Sequence, residues 1–156
     1  MIIYAKDYLQ PYINVLYNRF HFSKSDQNVF CAHTTGLHVQ YHSVNVGIIS
    51  IYKSPKCPIN IFIDMLENAL NKFKHKTCTN MFIVGDFNVD FFSATTERKI
   101  LFEFMDKHKL LMTNKQEIST DKNSLVDMCF SRIIPDHCHF TESVISDHKP
   151  ISFTIY

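Results

Sequence analysis

The sequence predicts a layered sandwich of the α/β or α+β class, and three observations predict it. Short runs of β-branched and aromatic residues recur along the whole chain. Two segments with apolar residues at helical spacing lie among these runs rather than at one end. The chain is 46% hydrophobic and 20% charged over 156 residues, enough apolar material for the packed core of one domain. Strands and helices intermixed in this way bury their apolar faces against one another in layers.

Ile2-Ile3-Tyr4 reads as a short opening strand. From Asp7 to about Asp26 the chain reads as irregular, because Pro11 disfavours a long early helix. Between Asn28 and Lys53, the runs Val29-Phe30-Cys31, Leu37 to Tyr41 and Val46 to Tyr52 predict two or three strands. Pro55 and Pro58 then open a helix, in which Phe62, Met65, Leu66, Ala69, Leu70 and Phe73 recur on one apolar face. Met81 to Val84 is short and continuously apolar, as expected of a strand buried on both faces. A second helix is predicted from about Thr96 to Lys109, with Ile100, Leu101, Phe104 and Met105 inward. Ser93, Thr95 or Thr96 would cap it, and Glu97 suits its positive end. Leu110 to Met112, Leu125 to Phe130 and Ile151 to Ile155 complete the strands, separated by polar turns.

Charge and cysteine usage narrow the class of function. Sixteen Lys and Arg against 15 Asp and Glu leave a net charge of +1, so no global field draws the chain toward nucleic acid. Cys31, Cys57, Cys78, Cys129 and Cys138 are odd in number with no CxxC pair, which suits reduced thiols in a cytosolic or nuclear compartment. The first residues lack the pattern of a signal peptide, and no apolar run approaches membrane-spanning length, so an intracellular chain without a membrane is expected. Only Gly36, Gly47 and Gly85 are glycines, and no linker composition divides the chain.

Gly85-Asp86-Phe87-Asn88 follows the apolar run from Met81 and sets an acid and an amide at a strand's end. In an extended segment Asp86 and Asn88, two apart, would face the same way. The carboxylate would then orient or deprotonate a water, while the amide would donate to a phosphate oxygen gaining charge. The same residues also suit an Asx turn that merely closes the strand. In Ser146-Asp147-His148, Asp147 offers oxygen to a hard cation and His148 a donor to phosphate; a polar turn before Lys149-Pro150 is the plain alternative. Asp127, the lone acid in its apolar strand, is the natural partner to hold His148. Tyr52 ends its strand where its phenol would reach the same rim, or is simply an aromatic strand residue. His137-Cys138-His139 with Cys129 lacks the paired spacing of a zinc site, and His38 and His42, four apart as on one helix face, have neighbours Val39, Tyr41 and Val44 that favour strand or turn. No phosphate-cradling glycine motif occurs.

Taken in order, Gly85-Asp86-Phe87-Asn88, Leu125-Val126-Asp127 and Ser146-Asp147-His148-Lys149-Pro150-Ile151 resemble the endonuclease/exonuclease/phosphatase superfamily. The wording is closest to the apurinic-endonuclease-like domains of non-LTR retrotransposons, where a strand such as Ile49 to Pro55 also precedes the first helix. The resemblance implies a four-layer α/β sandwich of two packed mixed sheets flanked by helices, and DNA phosphodiester cleavage with Mg2+ or Mn2+. Carried over by position, it implies that Asp86 activates the water, Asn88 stabilises the transition state and Asp147 serves the metal. His148 and Tyr52 would contact the phosphate, and Asp127 would support His148. Domains of this kind begin with strands ending in Asn and Glu, both serving the metal, and Met1 aligns after them. The expectation is therefore one domain over residues 1–156, incomplete at its N-terminus, with an open sheet edge available for association. Three functions compete: a mobile-element DNA endonuclease, an inactive remnant or binding module of that domain, and a phosphatase or phosphodiesterase acting on lipid or inositol phosphates.

Overall fold

The computed structural model describes residues 7–22, 30–114, 119–120, 123–135, 137–141 and 148–154. A 3-10 turn at Asp7–Tyr12 leads into β1 (Ile13–Phe22), followed by β2 (Phe30–Tyr41) and β3 (Val44–Lys53). Helix α1 (Ile59–Asn71), β4 (Asn80–Asp86) and helix α2 (Thr96–Lys107) come next, then β5 (Leu111–Met112), β6 (Asp127–Ser131), β7 (His137–Phe140) and β8 (Ile151–Thr154). Six strands form one mixed sheet in the order β1-β2-β3-β4-β6-β5, while β7 and β8 pair in a second. Within the large sheet, β3 and β4 are parallel and bridged by α1, as a parallel pair requires.

Both helices lie on one face of this sheet. Phe62, Leu66 and Leu70 of α1 join Leu101 and Met105 of α2 over Ile49, Ile51, Ile83 and Phe130, in one buried cluster. The opposite face is covered in part by the small sheet, with Cys138 and Ile151 against Val46, Phe82 and Cys129. Helices, large sheet and small sheet thus stack as the α/β sandwich that the sequence predicts. Each fully buried Phe, Leu or Ile in these layers contributes roughly 1.5–3 kcal/mol through removal from water.

Local chemistry explains most elements. Helix α1 follows Pro58, whose fixed φ suits a helix start, and buries Phe62, Met65, Leu66, Ala69 and Leu70 at the expected spacing. Helix α2 is capped by Thr95, whose hydroxyl accepts from the Arg98 amide at 3.2 Å, with Glu97 in its first turn and Lys107 in its last.

Two elements differ from the sequence reading, while the two or three strands read between Asn28 and Lys53 are the two strands β2 and β3. The stretch read as irregular holds the ten-residue strand β1, because a bulge between Val15 and Tyr17 breaks the alternation that marks a strand. Val29 aside, the two runs between residues 29 and 41 merge into the single strand β2. His137-Cys138-His139 is strand β7 rather than a turn. The strand expected at Ile2 to Tyr4 lies outside the described residues. At one edge of the described sheet stands β1, with Val15 and Phe20 about two thirds exposed (64% and 63%). None of the described helices is long and apolar enough to cross a membrane.

Candidate functional site

Strand register builds the site. Tyr52 of β3 pairs with Asp86 of β4, and Asp86 pairs with Asp127 of β6, so one phenol and two carboxylates form a row across three adjacent strands. Paired residues in neighbouring strands point to the same face. Alternation along β3 sets Ile49 and Ile51 among the helices, so Tyr52 looks to the face away from them. The ligand atoms of Asp86, Asp127 and His148 lie within 4.8 Å of one another.

Asp86 ends β4, and its side chain folds the chain that follows. Its Oδ1 accepts the Asn88 amide at 2.8 Å, an Asx turn, and its Oδ2 accepts the Asn88 Nδ2 at 3.1 Å. Asn88 Nδ2 also donates to the Lys53 carbonyl at 2.7 Å, tying the turn back to β3. The pair therefore does not meet by the extended geometry expected from its spacing. Asn88 has a φ of 46°, in the left-handed region that asparagine tolerates, and the turn brings the two side chains together instead. Just before it, Gly85 has a φ of 144°, a conformation that a side chain rarely permits. Burial pushes the Asp86 carboxyl up to about 6, with the Asp127 charge adding to it, against the Asn88 amide, His148 and Lys53.

Asp127 is 8% exposed, and its Oδ2 accepts from His148 Nδ1 at 2.7 Å. A carboxylate can only accept, so in this bond Nδ1 carries the proton. His148, half-buried, is placed by backbone pairing: it bridges to Thr120, and the Lys149 amide donates to the Ser119 carbonyl at 2.9 Å. Asp147, the expected metal ligand, lies outside the described residues.

Supports not anticipated from the sequence surround this row. The Ser119 hydroxyl, fully buried, accepts the amides of Val126 and Asp127, each at 3.1 Å. Asn114 spans β6, donating to the Asp127 carbonyl at 3.0 Å and accepting from the Cys129 amide at 2.9 Å. Asp90 accepts the Leu125 amide at 3.0 Å and the Ser93 hydroxyl at 2.6 Å. Against burial, which pushes it up, these bonds hold the Asp90 carboxyl below its ordinary value. A polar residue directly after an apolar strand, as Asn114 follows Leu111-Met112-Thr113, is the only sequence signal these supports carry.

Two carboxylates and an imidazole make a donor set that fits a hard divalent cation. Mg2+ is commonly held by one or two carboxylates, with water and substrate phosphate completing its shell. Asp86 is itself a sign of that fit, since a buried acid facing a second acid is relieved by a nearby positive charge. Cys129 shares a hydrogen bond with Cys138 that, with burial, pushes its thiol far up, and His38 bonds Asn45 at 2.7 Å.

A family model described as Endonuclease-reverse transcriptase matches residues 46–152. No curated protein sequence matches the chain. Among solved structures, the chain is similar to the endonuclease domain of TRAS1, a telomere-specific non-LTR retrotransposon, at 17% identity and TM-score 0.62 over 86% of this chain and 65% of that one. It is also similar to an endonuclease/exonuclease/phosphatase family protein from Leptotrichia buccalis, at 16% identity and TM-score 0.59 over 80% of this chain and 53% of that one. A third likeness is to a mannosyl-6-phosphatase from Bacteroides thetaiotaomicron, at 12% identity and TM-score 0.56 over 91% and 66% of the two chains. At such identities the likeness is one of fold. The chain spans between 53% and 65% of the length of the first two of these proteins.

Proposed function

Because the chain belongs to the Endonuclease-reverse transcriptase family, within the endonuclease/exonuclease/phosphatase superfamily, we propose that it cleaves DNA phosphodiester bonds with Mg2+ or Mn2+, as an endonuclease of mobile-element type. The observation that carries this reading is the row of Tyr52, Asp86 and Asp127, with His148 fastened to Asp127 at 2.7 Å. Acid, base, donor and cation site converge there on one sheet face.

In this reading Asp86 orients the attacking water and takes its proton, a task suited to a carboxyl raised to about 6. Asn88 gives its two Nδ2 hydrogens to the Lys53 carbonyl and to Asp86; releasing the Asp86 bond when substrate arrives would free one to donate to the phosphate oxygen that gains charge. Asp127 fixes the His148 ring through Nδ1, and His148 so oriented contacts the phosphate. Tyr52 contributes a phenol to the same phosphate. Asp147, with the carboxylate cluster, would hold the divalent cation, which when bound supplies Lewis-acid stabilisation of the developing charge.

The test is cleavage of supercoiled plasmid and of an abasic oligonucleotide by the full chain with Mg2+ or Mn2+. Nicking that requires the cation and disappears in Asp86→Ala and His148→Ala is the expected result. Intact DNA under conditions where a longer relative cuts it would leave an inactive binding module. Turnover of lipid or inositol phosphates without DNA cleavage would move the activity to the phosphatase side of the superfamily.

A further inference from the structure

The register row that carries Tyr52, Asp86 and Asp127 does not stop at Tyr52. Tyr52 pairs with His33 of β2, and His33 pairs with Phe20 of β1. Five strands thus contribute one continuous line in the order Phe20, His33, Tyr52, Asp86, Asp127. From Asp86 to Phe20 it runs three strand spacings, about 14 Å.

The half of this line beyond the carboxylates is aromatic and pre-stacked. The Phe20 and His33 rings lie 4.3 Å apart and within 13° of parallel. Phe30 lies within 9° of parallel to Tyr52 at 5.9 Å, and Phe22 adds an edge contact to Phe30 at 6.0 Å. Phe20 is 63% exposed and Phe22 52%, so these rings present open apolar faces. His33 is oriented from below: its Nε2 bonds Asn18, and the Thr35 hydroxyl donates to the same Asn18 oxygen at 3.0 Å. A histidine fastened at its edge with its face against a phenylalanine is arranged for stacking.

We propose that Phe20, Phe22, Phe30 and His33 form a stacking platform for a base of single-stranded nucleic acid, next to the phosphate held at Asp86, Asp127 and His148. The proposal rests on the phosphodiester reading above and names where the substrate's neighbouring nucleoside goes. Continuity favours this occupant: a chain whose phosphate sits at the carboxylates and runs along the row meets Tyr52, His33 and Phe20 in turn. The row beyond Asp86 consists of Tyr52, His33 and Phe20, so any grip it has on a nucleic acid falls on the π-face that every base has.

The test is fluorescence anisotropy of the full chain, in EDTA to prevent cleavage, with a labelled oligothymidylate and with an abasic backbone of the same length. Stacking on alanine-sensitive aromatics predicts that the wild type prefers the oligothymidylate by about tenfold over the abasic backbone. Phe20→Ala with His33→Ala should erase that preference and leave binding of the abasic backbone unchanged; Phe20→Ser, at an exposed site, checks the result without touching half-buried His33. Equal affinity of the wild type for both probes overturns the proposal, as does an equal loss on both in the variants. So does a concentration-dependent dimer that Phe20→Ala dissolves with oligonucleotide binding intact, which would assign the face to a second copy. Base preference without plasmid cleavage sinks the nuclease reading alone, and cleavage without base preference sinks the platform alone.

Discussion

Replacing Asp86 with Asn should stabilise the metal-free protein at neutral and alkaline pH and have little effect in acid. The Asp86 carboxyl rises from 3.8 to about 6 because folding buries it, next to Asp127. A raised carboxyl gives stability that is fully present below the unfolded value of 3.8 and is lost as pH climbs through about 6. Above that window the ionised, buried acid weighs against the fold. A rise of about two pH units sets an upper limit of about 3 kcal/mol. A third of the group faces solvent, and screening reduces this to about 1–2 kcal/mol. Asn keeps an oxygen for the Asn88 amide and removes the charge, but loses the bond that Oδ2 accepts from Asn88 Nδ2, so the gain sits at the lower end of this range. Urea denaturation in EDTA should therefore show the variant more stable by that amount at pH 8, with most of the gap closed at pH 4. Adding Mg2+ at pH 8 should raise the wild type and not the variant. A variant less stable than wild type at pH 8, or a gap independent of pH, would refute the electrostatic account of this site.

Other consequences can be checked directly. If Asp127 acts through His148, Asp127→Asn should slow cleavage about 10–150-fold in the wild type, from the loss of a charge-assisted bond of roughly 1.5–3 kcal/mol. In a His148→Ala background it should do almost nothing further; multiplicative losses in that double-mutant cycle would show independent action. Phe87 is fully buried between Phe62 and Phe130, so Phe87→Ala should cost about 3–5 kcal/mol by urea denaturation. The Tyr17 hydroxyl is buried and hydrogen-bonded to no described group, so Tyr17→Phe should raise stability by about 1 kcal/mol, and a lower thermal midpoint would argue that the hydroxyl is satisfied.

The residues differ in how far the sequence could reveal them. Helix α1 was legible because five buried side chains keep a single period through thirteen residues. Asp127 was legible as an acid that could not stand alone in an apolar strand, and it bonds His148. Strand β1 was hidden because its bulge switches the inward face midway: Tyr17 packs toward the helices, while Val15 and Phe20 stay exposed. For Asp86 and Asn88 the sequence posed functional pair and Asx turn as alternatives, and the chain uses the turn to make the pair. Ser119 and Asn114 left almost no trace, since their work is to bond a strand that is distant in sequence.

The row of Tyr52, Asp86 and Asp127 also has a kinetic meaning. Each residue comes from a different strand, and no two neighbours in the row are joined by a local hairpin. A chain with only its helices and its β1-β2-β3 meander would hold Tyr52 near the aromatic rings but have neither acid in place. The long-range ladders that close slowest in folding are the ones that seat the carboxylates. Under the proposed nuclease reading, competence should appear in one step with the completed sheet, and partly folded chains should lack it.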